Sequence, residues 1–123
     1  MNKIILALGS NIQQKYHMRQ AVALLCDTFK NMYFTEPCWT KPIGLDSEDF
    51  LNGMASAETN LSVEEVLAHL KSIEKSCGRT PQESKRGVIP MDIDLLMYAG
   101  QLFHEEDWER PYVRRLYEQL TGE

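Results

Sequence analysis

Met91-Asp92-Ile93-Asp94-Leu95-Leu96-Met97-Tyr98 is the stretch whose reading decides the fold. As a β-strand its side chains alternate between two faces. Ile93, Leu95 and Met97 then point one way, and Asp92 with Asp94 the other. Two carboxylates sharing one face repel, which raises one pKa unless a cation sits between or above them. A hard cation such as Mg²⁺, held by one or two carboxylates plus substrate phosphates, relieves that repulsion. The competing reading is an exposed edge strand whose aspartates are hydrated and guard against edge pairing.

Working outward, Lys3–Leu8 is a short apolar run stopped by Gly9 and reads as a buried strand. Gly9-Ser10-Asn11 is turn chemistry. Across residues 14–29, Met18, Ala21, Val22, Leu25 and Phe29 recur at helical spacing. Residues 32–40 alternate as a strand, with Pro37 pointing to an edge or bulge. A polar loop over 41–49 leads to a strand over 50–58, on which Phe50 and Asn52 share a face. Ser62 with Glu65 forms a capping box. The helix it opens buries Val63, Val66, Leu67, Leu70, Ile73 and Cys77, and stops at Gly78.

Residues 79–90 read as a long polar loop, the kind that is functional or disordered. After the 91–98 strand, residues 101–103 pair back as a hairpin, and a helix starts near Pro111. The order β-α-β-β-α-β predicts an α+β, ferredoxin-like sandwich: an antiparallel sheet with two helices on one face and the other face open. Asp92 and Asp94 would lie on the open face, bordered by loops 41–49 and 79–90.

The 123 residues make one domain, 1–123. A net charge of −5 argues against nucleic-acid binding, which needs a basic footprint. Lys75, Arg79, Lys85 and Arg86 nevertheless cluster ahead of the acid pair and suit a polyanion. Cys26, Cys38 and Cys77 show no metal spacing; Cys26 and Cys77 fall at helix positions where cysteine is usually a small buried hydrophobe. No run resembles a signal peptide or approaches a membrane span. The expectation is a reduced, cytoplasmic protein without nucleic-acid or membrane partners. His17, His69 and His104 read as surface residues, and the acids at 105–109 as a solvated run.

Ala7-Leu8-Gly9-Ser10-Asn11, Thr40-x-Pro42-x-Gly44 before Phe50-Leu51-Asn52, Ile73-Glu74-x-x-x-Gly78-Arg79 and Asp92-Ile93-Asp94-Leu95-Leu96 occur in an order and at spacings that together resemble the 6-hydroxymethyl-7,8-dihydropterin pyrophosphokinases of folate biosynthesis. The resemblance implies transfer of diphosphate from ATP to 6-hydroxymethyl-7,8-dihydropterin, giving AMP. It assigns Asp92 and Asp94 to two Mg²⁺ ions that accompany ATP, Arg79 to catalysis, and Glu74 with Arg79 to the nucleotide. Gly9, Thr40, Ile43, Phe50 and Asn52 match the pterin pocket. A monomer is implied.

The chain also departs from the family pattern. The usual Arg-Trp-Gly-Pro-Arg-like run is replaced by Lys85-Arg86-Gly87-Val88-Ile89. The pterin-capping tryptophan is missing, and Ile89 stands where a phosphate-binding arginine is expected. Lys85 and Arg86 are the candidate substitutes, although lysine is a point charge where arginine offers a fork. Arg110-Pro111-Tyr112 resembles the start of the family's Pro-His segment without the histidine, so the C-terminal part is expected to be shortened. Two other readings stand beside the kinase: a non-catalytic pterin- or nucleotide-binding relative, and an interaction module using the open sheet face.

Overall fold

The chain is described here from a computed structural model covering residues 1–42 and 48–122. Ile43, expected in the pterin pocket, lies outside the described residues.

β1 (Asn2–Ser10) is the central strand, paired antiparallel with β4 (Phe50–Thr59) on one side and β5 (Asp92–Tyr98) on the other. β2 (Lys30–Phe34) pairs with β4, and β6 (Gln101–Leu102) with β5, giving the order β2-β4-β1-β5-β6. This is the antiparallel α+β arrangement expected from the element order.

α1 (Gln14–Thr28) and α2 (Val63–Ser76) cover one face of the sheet. Ile4, Leu6 and Leu8 of β1, Ala55 and Ala57 of β4, and Ile93 and Leu95 of β5 pack there against Ala21, Leu25, Val66, Leu70 and Ile73. The period-two strands and helical stripes meet as their patterns dictate. The capping box forms: Glu65 N donates to Ser62 Oγ, and Ser62 N donates to Glu65 Oε1.

Several local expectations are corrected. The single strand over 32–40 is two: β2, and β3 (Cys38–Thr40), which also pairs with β4. They break around Pro37, which has no N–H to donate; Thr35 bridges the gap, its Oγ1 accepting from Met54 N at 3.0 Å. The 79–90 loop contains a short helix, α3 (Pro81–Lys85). Thr80 caps it, accepting from Glu83 N, and Pro81 sits where a missing N–H costs nothing. That start signal was in the sequence and was masked by the lack of an apolar stripe.

Met97 does not share a face with Ile93 and Leu95. Leu6 pairs with Leu95 but Ile5 with Met97, so Leu96 is an inserted residue. This bulge turns both Leu96 and Met97 towards the face opposite α1 and α2. Nor is that face open. α4 (Pro111–Thr121) lies on it, burying Val113 and Leu116 against Ile5, Met54 and Leu96. Three further readings fail on burial: Cys26 and Leu67 are exposed, and His17 is buried with Nδ1 2.7 Å from the Ile12 carbonyl oxygen. Among the described residues no helix is long and apolar enough to cross a membrane.

Candidate active site

Beside α4 the described residues leave part of the same sheet face uncovered, as a cavity of about 380 Å³. Its floor is set by strand register. Gly9 is opposite Asn52 on one side and Asp92 on the other. Ala7 is opposite Met54 and Asp94. Adjacent strands lie about 4.8 Å apart, so Asn52 and Asp92 stand roughly 10 Å apart across the glycine. The sheet thus presents a polar, aromatic half and an acidic half side by side.

On the first half, Asn52 Nδ2 donates to Thr40 Oγ1 at 2.6 Å and more weakly to the Phe50 carbonyl oxygen. Asn52 is buried, and Phe50 lies along the same wall. Gly9 makes this possible. A Cβ there would sit 3.0 Å from Asn52 Oδ1 and 3.4 Å from the Phe50 ring. A fixed amide beside a half-buried aromatic ring suits a flat heterocycle with hydrogen-bonding edges.

On the second half, Asp92 and Asp94 share the cavity face as the alternation requires. Burial, then the charge of Asp92, push Asp94 up to about 7, against the opposing pull of His104. His104 Nε2 lies 3.9 Å from Asp94 Oδ1, so His104 is not an unattached surface residue. Its position follows from the β5–β6 hairpin, where Ala99 and Gly100 both take positive φ. Among the described residues no group of three His, Cys, Asp or Glu could hold a metal alone. The donor set is two side chains that offer only oxygens, and it fits a hard cation that brings its remaining ligands with a phosphate.

Arg79 and Glu74 back this acidic half. Arg79 Nη1 donates to Asp92 Oδ1 at 2.8 Å and to Glu74 Oε2 at 3.2 Å, and Nε donates to Ser84 Oγ at 3.2 Å. Burial alone would lower the Arg79 pKa; the bond and charge of Asp92, with Glu74, outweigh it and raise it. Glu74 Oε2 also accepts from Ile93 N at 2.8 Å, satisfying a strand N–H. Burial raises the Glu74 pKa, while Ile93 N–H and Arg79 oppose the rise. Arg79 lines a second cavity as well, with Lys71, Lys75, Thr80 and Pro81.

Lys85 and Arg86 line neither cavity; Arg86 pairs with Glu83 at 3.5 Å and its side chain is 76% exposed. Ile89 does reach the first cavity. It is held there by Asn11, whose Oδ1 accepts from Ile89 N at 2.7 Å and whose Nδ2 donates to the Gly87 carbonyl. Trp39 is exposed and outside the lining. The sequence reading missed Lys41, Asp107, Arg110 and Tyr112, all in the cavity wall. Of these, Asp107 was read as part of a solvated acidic run, and Arg110 and Tyr112 only as a resemblance to the family's Pro-His segment. Burial raises the Tyr112 pKa, with Arg110 opposing.

Fold and cavity together define an α+β sandwich with a pair of acids lining a cavity built directly on its sheet. The chain belongs to the 7,8-dihydro-6-hydroxymethylpterin-pyrophosphokinase family, whose profile matches residues 5–121. The mitochondrial folate synthesis bifunctional protein of Pisum sativum is 33% identical over 135 residues, which cover 98% of this chain and 25% of the pea protein. The 2-amino-4-hydroxy-6-hydroxymethyldihydropteridine pyrophosphokinase of Porphyromonas gingivalis is 29% identical over 126 residues, covering 90% of this chain and 85% of that protein. The Haemophilus influenzae enzyme of the same name is 30% identical over 113 residues, covering 87% and 69%. The chain thus spans about a quarter of the plant bifunctional relatives, and 85% and 69% of the two bacterial enzymes named.

Proposed function

We propose that this protein transfers the β,γ-diphosphate of ATP to the hydroxymethyl group of 6-hydroxymethyl-7,8-dihydropterin, releasing AMP. The observation that carries the reading is the register across Gly9, which places the Asn52–Thr40–Phe50 wall beside Asp92 and Asp94 in one cavity. Family membership and the names of the bacterial relatives support it. Gly9, Thr40, Phe50 and Asn52 take the pterin, Asn52 through its edge and Phe50 through its ring. Arg79, lining both cavities, lies under the polyphosphate, with the adenosine end in the cavity of Lys71, Lys75 and Thr80.

Asp92 and Asp94 would hold Mg²⁺, two ions in the family's pattern. The metal supplies charge neutralisation and alignment of the attacking and leaving oxygens. The residues' share is positioning, the main task in phosphoryl transfer. Asp92, bonded here to Arg79, would be shared between the guanidinium and the cation, and Arg79 would also face the phosphate. Glu74 holds Arg79 at the cavity edge. A monomer is expected, and the expected compartment is the cytoplasm.

Incubation with ATP, Mg²⁺ and the hydroxymethyl pterin tests the reading, with AMP and the pterin diphosphate as the expected products. One observation favours a second reading, a non-catalytic binder: apolar Ile89 in the cavity wall. Binding of both ligands without AMP release would select it. An interaction module using a bare sheet face is disfavoured, since α4 covers much of that face.

A further inference from the structure

Arg79 is heavily committed to the protein, with Glu74, Asp92, Ser84 and the Met91 carbonyl as partners. Ile89 adds no charge to the wall. A second arginine lines the same cavity, Arg110. Its one acidic partner among the described residues is Asp107, 3.1 Å from Nε. An arginine fork carries five N–H donors, so a contact at Nε leaves donors on its far edge for another acceptor.

Arg110 is also built on a firm base. It caps α4, with Pro111 in the first turn and Val113 and Leu116 buried beneath. The preceding 3₁₀ turn (Glu105–Glu109) is fastened by Trp108 Nε1, which donates to the Phe103 carbonyl at 3.1 Å and the Leu96 carbonyl at 3.3 Å. Arg114 Nε closes the loop by donating to the Trp108 carbonyl at 3.2 Å. An isolated i,i+3 pair on a surface contributes little to stability. A guanidinium fixed by its neighbours and held at a cavity wall is instead pre-ordered for a planar anion.

We propose that Arg110 is the second phosphate-clamping arginine of the cavity, gripping the diphosphoryl group in transit, with Asp107 as its positioning residue. This rests on the reaction proposed above. In that step the hydroxymethyl oxygen forms a bond to the β-phosphorus, and the bond from that phosphorus to the α–β bridging oxygen breaks. AMP leaves with the electron pair, and the hydroxyl proton passes to solvent. Arg110 neutralises phosphate oxygens on the migrating side and exchanges no proton.

Calorimetric titration with inorganic tripolyphosphate, with and without Mg²⁺, tests the assignment apart from turnover. Arg110→Gln is expected to weaken tripolyphosphate binding about tenfold or more, the worth of one charged hydrogen-bonded contact. AMP binding should stay within twofold. Where AMP forms, kcat/KM for ATP should fall with it. Arg110→Lys should restore only part, because the fork is lost, and Asp107→Asn should weaken binding less than Arg110→Gln. If Arg110→Gln merely lowers the melting point while tripolyphosphate affinity stays within twofold, Arg110 is structural and the assignment falls. Arg110-dependent tripolyphosphate binding without any AMP formation would uphold the assignment and overturn the reaction instead. A wild-type protein that binds no tripolyphosphate overturns both.

Discussion

Asp94→Asn probes the acid pair directly, because it removes a charge without changing shape. In the folded chain Asp94 rises from 3.8 to about 7, first through burial and then through Asp92. A group whose folded pKa lies above its unfolded one binds more protons when folded, so its contribution to stability is full below the unfolded value and lost as pH climbs through the folded value. At 1.36 kcal/mol per pKa unit, the span corresponds to about 4 kcal/mol at most. The side chain is 34% exposed, so solvent screening cuts this to about 1–2 kcal/mol.

In metal-free protein Asp94→Asn should therefore stabilise the fold by about 1–2 kcal/mol at pH 8, raising the melting temperature by about 3–10 °C. At pH 5 only about two-fifths of that gain should remain, since most of the penalty develops between pH 5 and 7. Turnover should fall by about 100-fold or more as charge stabilisation is lost. Melting curves in chelator from pH 5 to 8 read the first effect, and AMP release the second. A variant no more stable than wild type at pH 8, or equally stabilised at both pH values, would refute the account of a strained acid pair.

Three other substitutions test the surrounding frame. Gly9→Ala places a Cβ 3.0 Å from Asn52 Oδ1, so the pterin KM should rise by about tenfold, as a displaced hydrogen-bonding partner costs ~1–2 kcal/mol, while steady-state kinetics find the ATP KM little changed. Glu74→Gln removes the charge that steadies Arg79 but keeps an oxygen for Ile93 N; initial-rate assays should find kcat/KM for ATP reduced by about tenfold or more, with a native circular dichroism spectrum. Asn11→Ala strips two side-chain bonds from the 87–89 backbone and should cost about 2–3 kcal/mol in urea denaturation, because buried partners are left unmet.

The local signals were legible where they depend on near neighbours. The capping box of Ser62 and Glu65, the helical stripes of α1 and α2, and the alternation that puts Asp92 and Asp94 on one face all lie within a few residues of chain. Each of the four short motifs that resemble the family is local in the same way, and the family's profile matches residues 5–121. Thr80-Pro81 opened α3 by the same local chemistry, but carried no apolar period to announce it.

What tertiary structure decided concerns partners distant in sequence. Pairing with β1 forces the Leu96 bulge, and the bulge alone turns Met97 away from Leu95. The apolar face of α4 needed a partner, which the strands supplied through Ile5, Met54 and Leu96. That docking carries Asp107, Arg110 and Tyr112 into the cavity wall, and the β5–β6 hairpin sets His104 against Asp94. Sequence period fixes which way a side chain points within its own element; only the packing of elements fixes what stands opposite, because those contacts are chosen by burial over the whole chain.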